Sequence, residues 1–449
     1  YFGDRQPLHS VQLGGVSYAQ IYPGPVISFT RRPEVPYPVG VTLGGAVRLL
    51  GYALPQPALR ADDTLDITLY WEVLAPMRKD YNVTIRVVDE DGNIWGQVDR
   101  MPIGGLWRTH EWQPGAFVRD EYRLRLRPGT PPAVYQLDIA VYRFATGDTF
   151  GVARNVGQLE VLPASTFPAP ETLSMQHSPR KVLAPGLELL GYDLDAEKIG
   201  PGERLPITLY WRASRTPGAD YAISFDAKSV AGKEGGSWQE ALAPEHYPTS
   251  QWRPGEVVVS RHQLQMPAYA RSGFYVLSLR LVNLASGQEL GREILGKMEF
   301  VERARSFETP AVQHALGIDL GGLVQLIGYD LPVGEVPAGH TFPLTLYWRA
   351  LAETKTSYTV FIHVVGPDGV IRGQWDSVPG GGSLPTSGWL KGEVITDSYR
   401  VPLVQDAPPW RYTILVGMYN PDSGERLREA GSSGRDAVPL GTIQVRPER

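Results

Sequence analysis

The sequence predicts an all-β protein built from three tandem sandwich domains, and three observations lead to that fold class. One strand phrase occurs three times, as DITLYWEV (66–73), PITLYWRA (206–213) and PLTLYWRA (343–350). The copies are spaced by about 140 residues, which is far longer than a solenoid repeat and indicates whole domains. The 49 glycines and 39 prolines indicate many turns, which favours short strands over helices.

Inside each copy, the residue pattern is that of half-buried strands. Every second residue from Phe342 to Trp348 is apolar, whereas the intervening positions carry Pro, Thr and Tyr. A second strand, YTVFIHVV (358–365), is followed by the turn signal Pro367-Asp368-Gly369. The first copy has Asp91-Gly92 at the matching position, and the second copy has Ala231-Gly232. Each copy is therefore predicted to contain a β-hairpin directly after its central strand.

Aromatic residues recur in register and are predicted to form the core. A Trp on the apolar face of a central strand is typical of sandwich cores, and so is a Tyr that follows a Pro/Gly-rich corner and bonds back to the backbone. About seven or eight short strands per copy, with these aromatic positions, describe an immunoglobulin-like β-sandwich. The predicted core residues are Trp71, Trp211, Trp348, Trp112, Trp252, Trp389, Tyr135, Tyr275 and Tyr412.

These signals divide the chain into six segments. The N-terminal extension alternates apolar and polar residues around Gly14-Gly15 and is predicted to contain a small hairpin. The polar, Pro-containing segments between the sandwiches predict semi-rigid linkers. The segments are a hairpin or extension (1–40), sandwich 1 (41–163), a linker (164–182), sandwich 2 (183–302), a second linker (303–322) and sandwich 3 (323–449).

Composition excludes several classes of function. The net charge of −5 provides no basic field for nucleic acid or anionic lipid. The chain has no cysteine, so disulfides, zinc-thiolate sites and thiol catalysis are excluded. No run of about 18 apolar residues occurs, so no membrane-spanning segment is predicted. A chain that opens on Tyr1 is expected to be a mature product or a fragment of a longer protein.

No motif predicts catalysis, a metal site or a cofactor. The eight histidines show no metal-ligand spacing. Asp89 to Asn93 (DEDGN) has the acids of a calcium loop, but the matching segments of the other copies lose them, which favours a plain hairpin turn. Asp99 and Asp376 are equivalent, but the second copy has Gln239 there and no partner acid recurs, so a glycosidase pair is not expected. We therefore expect a non-enzymatic chain without a metal or cofactor.

A binding site is the more open question. Before the second recurring Trp, each copy carries an irregular segment with a repeated threonine at 109, 249 and 386, and we expect it to be a surface loop. Aromatic side chains beside acids can stack on sugar rings, and the alternative for the same residues is packing between domains. The candidate ligand or interface residues are Trp95, Asp99, Trp107, Trp238, Tyr247, Trp375, Asp376 and Trp410.

The repeats resemble those of cell-surface proteins from Chloroflexota bacteria. The matching pieces are LLGYDL (189–194), PITLYWRA, PTSQWRPGEVV (248–258) and the Tyr-x-(Leu/Ile) strand with the TGD or SGE turn that follows it. In that family, similar sandwiches follow a multi-span glycosyltransferase of the lipid-linked, mannosyltransferase-like type. The N-terminal stretch HSVQLGGVSYAQIYPGP (9–25) looks like the end of such an enzyme's extracytoplasmic part. The resemblance implies an extracytoplasmic location, with any transferase activity in a separate membrane domain.

The expected function is that of a non-catalytic extracellular protein, acting as a surface spacer, adhesion or assembly module. One alternative is a glycan-binding appendage of a membrane glycosyltransferase. Another is a structural subunit of an extracellular filament or surface layer, favoured if the N-terminal hairpin donates a strand to the sheet edge of a neighbouring chain. The partners expected from the sequence are thus a glycan or cell-envelope component and a second copy of the chain, and not nucleic acid.

The strand-donation alternative makes a direct prediction. Deletion of residues 1–40 should leave the three sandwiches folded and abolish self-association, because the donated strand is lost. Light scattering coupled to size-exclusion chromatography measures this, with circular dichroism as the control for folding. A truncated chain that assembles as the intact chain does rules out the hairpin as the association element.

Overall fold

The computed structural model describes residues 9–13, 16–21, 28–29, 31–194, 198–229, 234–431 and 434–447. The predicted turn positions Gly14-Gly15 and Ala231-Gly232 lie outside the described residues. The described chain is all-β, which confirms the predicted fold class: strands form three pairs of facing sheets, and the helical segments are single 3-10 turns. None of these helical segments has the length or apolarity needed to cross a membrane.

An N-terminal hairpin precedes module 1, the first sandwich. The hairpin pairs β1 (His9–Leu13) with β2 (Val16–Ile21) in antiparallel register. The strands of module 1 are β3 (Ser28–Phe29), β4 (Tyr37–Leu43), β5 (Val47–Ala53), β6 (Ala58–Arg60), β7 (Thr64–Val73), β8 (Asn82–Val88), β9 (Ile94–Arg100), β10 (Phe117–Arg125), β11 (Ala133–Tyr142) and β12 (Thr149–Leu162). They form a front sheet in the order β3-β10-β7-β5-β4 and a back sheet in the order β6-β12-β11-β8-β9.

Module 2 repeats this arrangement. Its strands are β13 (Lys181–Ala184), β14 (Leu187–Leu194), β15 (Lys198–Ile199), β16 (Arg204–Ala213), β17 (Tyr221–Ser229), β18 (Glu234–Ala241), β19 (Val257–Gln265), β20 (Gly273–Asn283) and β21 (Glu289–Phe300). The front sheet has the order β13-β14-β16-β19, and the back sheet has the order β15-β21-β20-β17-β18. Strand β19 therefore ends the front sheet at the edge where module 1 has the additional strand β3.

Module 3 has the same topology as module 2. Its strands are β22 (His314–Leu320), β23 (Val324–Asp330), β24 (Glu335–Pro337), β25 (Thr341–Ala350), β26 (Thr359–Val365), β27 (Ile371–Ser377), β28 (Val394–Pro402), β29 (Arg411–Tyr419) and β30 (Val438–Arg446). The front sheet is β22-β23-β25-β28 and the back sheet is β24-β30-β29-β26-β27. Across the described chain, the 3-10 segments are Pro102–Gly105, Thr109–Glu111, Pro170–Thr172, Thr249–Gln251, Pro379–Gly382 and Thr386–Gly388.

The repeated TLYW phrase forms the central strand of each front sheet. In β7, β16 and β25 the alternating residues face the opposite sheet, and the Trp side chains Trp71, Trp211 and Trp348 are fully buried. Burial of a side chain as large as Trp removes much apolar surface from water, and this is the main force that holds the two sheets together.

The corner tyrosines bond back to the backbone in all three modules. The hydroxyl of Tyr135 donates to the Pro131 carbonyl at 2.8 Å, that of Tyr275 to Arg271 at 2.9 Å, and that of Tyr412 to Pro408 at 3.0 Å. Each ring is buried, so the hydrogen bond satisfies the polar end of the side chain while the ring fills the core. This contact fixes the turn that leads into β11, β20 and β29.

The segments that enter modules 2 and 3 pack on the module that follows them. Leu173 covers Leu190 on the outer face of the front sheet of module 2, and Val312 covers Ile327 in module 3. Backbone pairing adds to this contact in module 3, where Ser306 bridges to Val394. Residues from the two segments predicted as linkers therefore cover apolar side chains that would otherwise face water.

Candidate functional site

The candidate residues are spread over the three modules. Trp95 is buried, and its indole N–H donates to Asp89 at 2.7 Å. Tyr247 is also buried, and its hydroxyl lies 2.9 Å from both carboxylate oxygens of Glu256. Burial, followed by the Glu256 carboxylate, raises the pKa of Tyr247 above its ordinary value. These two aromatic rings are therefore packed inside the protein and are unavailable to a sugar.

Two further tryptophans are half-buried. Trp107 packs against Trp112 with ring centroids 5.9 Å apart. The indole N–H of Trp238 donates to the Gln265 carbonyl at 3.0 Å, which ties the edge of the back sheet to the front sheet of the same module. Both side chains close the rim of their own module.

The remaining candidates are exposed. Asp99 accepts a hydrogen bond from the Tyr142 hydroxyl at 2.6 Å on the outer face of the back sheet. In module 3, Trp375 is 39% exposed next to Asp376, and Trp410 is 38% exposed at the corner before β29. Trp375 and Asp376 are consecutive residues of β27 whose side chains lie on opposite faces of the sheet, and the eight candidates as a group do not converge on one cleft.

The irregular segment before the second Trp, here called the long loop (101–112, 242–252 and 378–389), is fastened by its threonine. The Thr109 hydroxyl accepts from the Tyr81 N–H at 2.9 Å and donates to the Lys79 carbonyl at 3.2 Å. Thr249 and Thr386 make the equivalent bonds in the other modules. The repeated threonine, which the sequence left unexplained, therefore satisfies two backbone groups inside the module.

In modules 1 and 3, a buried acid on the strand after the long loop accepts a hydrogen bond from the backbone of that loop. Asp120 is fully buried and accepts from the Ile103 N–H at 2.8 Å and from the Tyr122 hydroxyl at 2.5 Å. Ile103 has φ 53°, a left-handed conformation that is unfavourable for a β-branched residue, and its bond to Asp120 offsets part of this strain. In module 3, Asp397 accepts from the Gly380 N–H at 2.9 Å and from the Tyr399 hydroxyl.

In module 2 a serine takes the place of the buried acid. Ser260 occupies the position of the acid, and it accepts from the indole N–H of Trp211 at 3.1 Å. His262 lies 2.9 Å from the same hydroxyl and 2.6 Å from Glu240. The Ser-x-His and Asp-x-Tyr pairs are therefore alternative ways of satisfying a buried polar position next to the core Trp.

The junction between modules 1 and 2 is formed by one end of module 1 and the outer face of the module 2 front sheet. The Val259 N–H of the edge strand β19 donates to the Gly129 carbonyl at 2.8 Å. The Arg261 guanidinium lies 4.6 Å from the centroid of the Trp95 ring and donates to the Ile94 carbonyl at 2.6 Å. A cation over an indole ring, combined with a main-chain bond to a sheet edge, gives a directional junction.

The junction between modules 2 and 3 is built around a buried acid. Glu393 is fully buried in module 3 and pairs with both Arg303 and Arg305 of the entering segment. Arg305 also donates to the Ala268 carbonyl of module 2 at 2.7 Å. Because both arginines are mostly buried, this ion-pair cluster is shielded from water and salt.

Close backbone packing completes this junction. The Ser387 hydroxyl donates to the Gly202 carbonyl at 2.9 Å. Gly202 has φ 72°, and a Cβ at this position would lie 2.1 Å from the Gly388 nitrogen, so only glycine fits. Neither Glu393 nor Gly202 is among the residues predicted from the sequence, although Gly-Glu-Val recurs at 255–257 and 392–394 and so marks the acid.

The described residues contain no group of three or more acidic or histidine side chains arranged to hold a metal ion. In the turn that resembles a calcium loop, Asp89 instead accepts from the Asn93 N–H at 2.8 Å and from the Trp95 indole. The carboxylate of Asp89 thus closes the β8–β9 turn and orients the Trp95 ring for the junction with module 2.

Comparison with known proteins gives structural likeness only. No protein-family model matches the chain, and no curated protein matches it by sequence. The C-terminal domain of wzt shares 12% identity over 32% of this chain and 91% of that chain, with a TM-score of 0.24. A putative membrane-anchored protein from Corynebacterium diphtheriae shares 11% identity over 88% of this chain and 90% of that chain, with a TM-score of 0.17. The ICAM-5 D1-D4 ectodomain fragment shares 12% identity over 88% of this chain and 77% of that chain, with a TM-score of 0.16.

The buried acid of module 1 makes the stability of the protein depend on pH. Burial raises the pKa of Asp120 from 3.8 to about 6, against the lowering effect of the Tyr122 hydroxyl and the Ile103 N–H. The folded state therefore binds the proton more tightly than the unfolded state, and the contribution of Asp120 to the free energy of unfolding falls as the pH rises from about 4 to about 6. The Asp120→Asn variant should lose this dependence.

Urea unfolding of both proteins at several pH values measures the effect. Asp66→Asn is the matched control, since this acid is half-exposed beside Arg123 and its replacement changes the net charge by the same amount. Parallel pH profiles for the wild type and Asp120→Asn would contradict the assignment.

Glu393, the buried acid at the junction between modules 2 and 3, allows a prediction of how much unfolding free energy is lost when its carboxylate is removed. Glu393→Ala removes the carboxylate between Arg303 and Arg305 and leaves two mostly buried cations without a counter-charge. We expect module 3 to lose about 3 kcal/mol of unfolding free energy, which is typical of a broken buried pair. Glu171→Ala is the control, because Glu171 and its partner Arg180 are both exposed, and this change should have no measurable effect. Equal effects of the two substitutions would show that the Glu393 cluster is not a buried pair in solution.

Proposed function

We propose that this chain is a non-catalytic extracellular scaffold, a surface spacer or assembly module, whose three sandwiches are held at fixed angles by their junctions. The observation that carries the proposal is the junction between modules 2 and 3, where Glu393 binds two arginines of the entering segment and Gly202 packs against Gly388. A flexible string of domains needs no buried charge and no glycine-only contact between its members.

The extracellular location in this proposal follows from the resemblance of the repeats to cell-surface proteins. Large sandwich domains with extensive cores fold without disulfides, which agrees with a chain that has no cysteine. The buried polar groups described above lie in the long loops and at the junctions, where they stabilise the loop conformations and the contacts between modules.

Glycan binding is the second candidate, and one observation favours it. Trp375 and Trp410 each present exposed aromatic surface in module 3, and Asp376 is exposed on the opposite face of β27 from Trp375. Exposed aromatic surface suits a sugar ring. In this reading, module 3 holds a glycan or a cell-envelope component, and the other two modules set its distance from the membrane.

The scaffold proposal predicts one well-defined distance between neighbouring modules. The chain has no cysteine, so spin labels can be placed at Leu284→Cys in module 2 and Asp422→Cys in module 3, two exposed loop positions. Pulsed dipolar spectroscopy should give a narrow distance distribution for this doubly labelled chain. The added Gly202→Val substitution should broaden it, because its Cβ collides with the Gly388 backbone.

Gly147→Val is the matched control for the glycine substitution. Gly147 lies in module 1, away from both labels, and has a similar φ of 73°, but no atom lies within 4 Å of the place where a Cβ would stand. It therefore reproduces the backbone strain of a left-handed residue without the collision at the junction. A broad distribution in the chain that retains Gly202 would contradict the scaffold proposal.

A further inference from the structure

Module 3 carries the same end that module 1 uses to contact module 2. We call this the docking end: the β8–β9 turn together with the corner before β11 in module 1, and the β26–β27 turn together with the corner before β29 in module 3. The two ends are built alike. The Arg127 N–H donates to the Trp95 carbonyl at 2.7 Å, and the Val404 N–H donates to the Arg372 carbonyl at 2.8 Å.

The docking end of module 3 is apolar and exposed. In module 1, the docking end is covered by module 2, and Trp95 is 4% exposed. In module 3, four apolar side chains at this end face water. They are Val370 (48% exposed), Ile371 (42%), Val404 (41%) and Trp410 (38%). Several large apolar side chains at one end of a module are typical of a contact surface.

The acceptor surface for a docking end is known from module 2. It is the outer face of the front sheet along β19, where Val259 contacts Gly129 and Arg261 covers Trp95. The matching positions on β10 of module 1 are Arg119 and Glu121, whose side chains are 34% and 49% exposed. Both pairings have the same register, since Val259 is opposite Tyr210 and Arg119 is opposite Tyr70.

The charges of the two unpaired surfaces are complementary in that register. The exposed Asp406 stands at the position of Gly129 in the docking end, and it would face Arg119 of the acceptor surface. Arg372 stands at the position of Trp95, and it would face Glu121. At present these groups pair within their own surfaces, Arg119 with Glu121 at 2.6 Å and Arg372 with Asp368 at 2.9 Å.

An apolar contact between the long loop of module 1 and the docking end of module 3 would add to these charge pairs. Leu106 in the long loop of module 1 is 77% exposed and stands where module 2 has His246, the residue that contacts the docking end of module 1 at Pro132. Pro409 and Trp410 occupy the corresponding corner of module 3. The front sheet of module 3 does not offer this match, because it has Thr396 and Ser398 in place of the charged pair.

We propose that the docking end of module 3 binds the outer face of the module 1 front sheet in a second copy of this chain. The contact repeats the side-chain part of the junction between modules 1 and 2, with two opposite-charge pairs in place of the cation over the indole ring. The main-chain bond of Val259 is not repeated, because β3 pairs with the edge of β10 next to Arg119. Because the two surfaces are different and lie on different modules, the contact is head-to-tail, and copies add to one another in a row. This inference deepens the proposed scaffold function and rests on it, since a row of copies needs fixed junctions inside each copy.

The test is the association of the full chain, measured by sedimentation equilibrium over a concentration series at low salt. The wild type should show a mass that rises with concentration. Asp406→Arg and Arg119→Asp should each weaken the association constant by about tenfold or more, because each places like charges opposite one another. The chain that carries both substitutions should recover association, since the charge pair is restored in reverse, and this recovery also shows that the variants are folded.

Arg400→Glu is the matched control. Arg400 is exposed on β28 at the equivalent position of Arg123 in the module 3 front sheet, and its reversal should leave association unchanged if module 1 is the acceptor. A wild type that stays monomeric overturns the proposal, as does association that Asp406→Arg and Arg119→Asp leave unchanged. Association that these charge variants leave unchanged but that is lost on deletion of residues 1–21, which removes the hairpin and keeps β3 and β4 of module 1, assigns it to the hairpin and also overturns the proposal. A narrow interlabel distance in a monomeric chain would leave the scaffold function standing while this inference fails.

Discussion

The structure of each module depends on one constraint: the polar side chain buried next to the core tryptophan must have hydrogen-bond partners. The strand that follows the long loop brings Asp120, Ser260 or Asp397 under that loop. Where the residue is an acid, it binds the backbone N–H of the loop and a neighbouring Tyr hydroxyl. An unsatisfied carboxylate in this place would cost several kcal/mol, so the loop conformation and the core are fixed together.

The junctions use the same principle between modules. Each joins a module to its neighbour through buried groups, such as Trp95 under Arg261 and Glu393 between Arg303 and Arg305. The two junctions differ in detail: the first uses a sheet edge and an indole ring, and the second uses an ion-pair cluster and a glycine contact. Repeated domains therefore do not imply repeated junctions, because surface residues differ between copies while the core Trp and corner Tyr residues recur.

The difference in surface residues between the three modules bears on function. Of the chemistry-bearing residues singled out in the sequence, Trp95 and Tyr247 are buried, and Trp107 and Trp238 close the rims of their modules. Among the described residues, apolar side chains of the docking end of module 3 are exposed, whereas the counterpart in module 1 is covered. The proposed assembly role rests on this difference.

The sequence by itself determined the strands, the core tryptophans and the corner tyrosines, because those features depend on local periodicity and on turn residues that recur in register. It also placed the hairpin turn at Asp368-Gly369, which the structure contains between β26 and β27. Only the tertiary structure decided which surfaces meet. Glu393 finds its arginines about 90 residues away in sequence, and Gly202 meets Gly388 across a module boundary, so neither contact leaves a local pattern. For the same reason the sequence could not show which residue Trp95 contacts, and in the folded chain Trp95 lies against Arg261 of the next module.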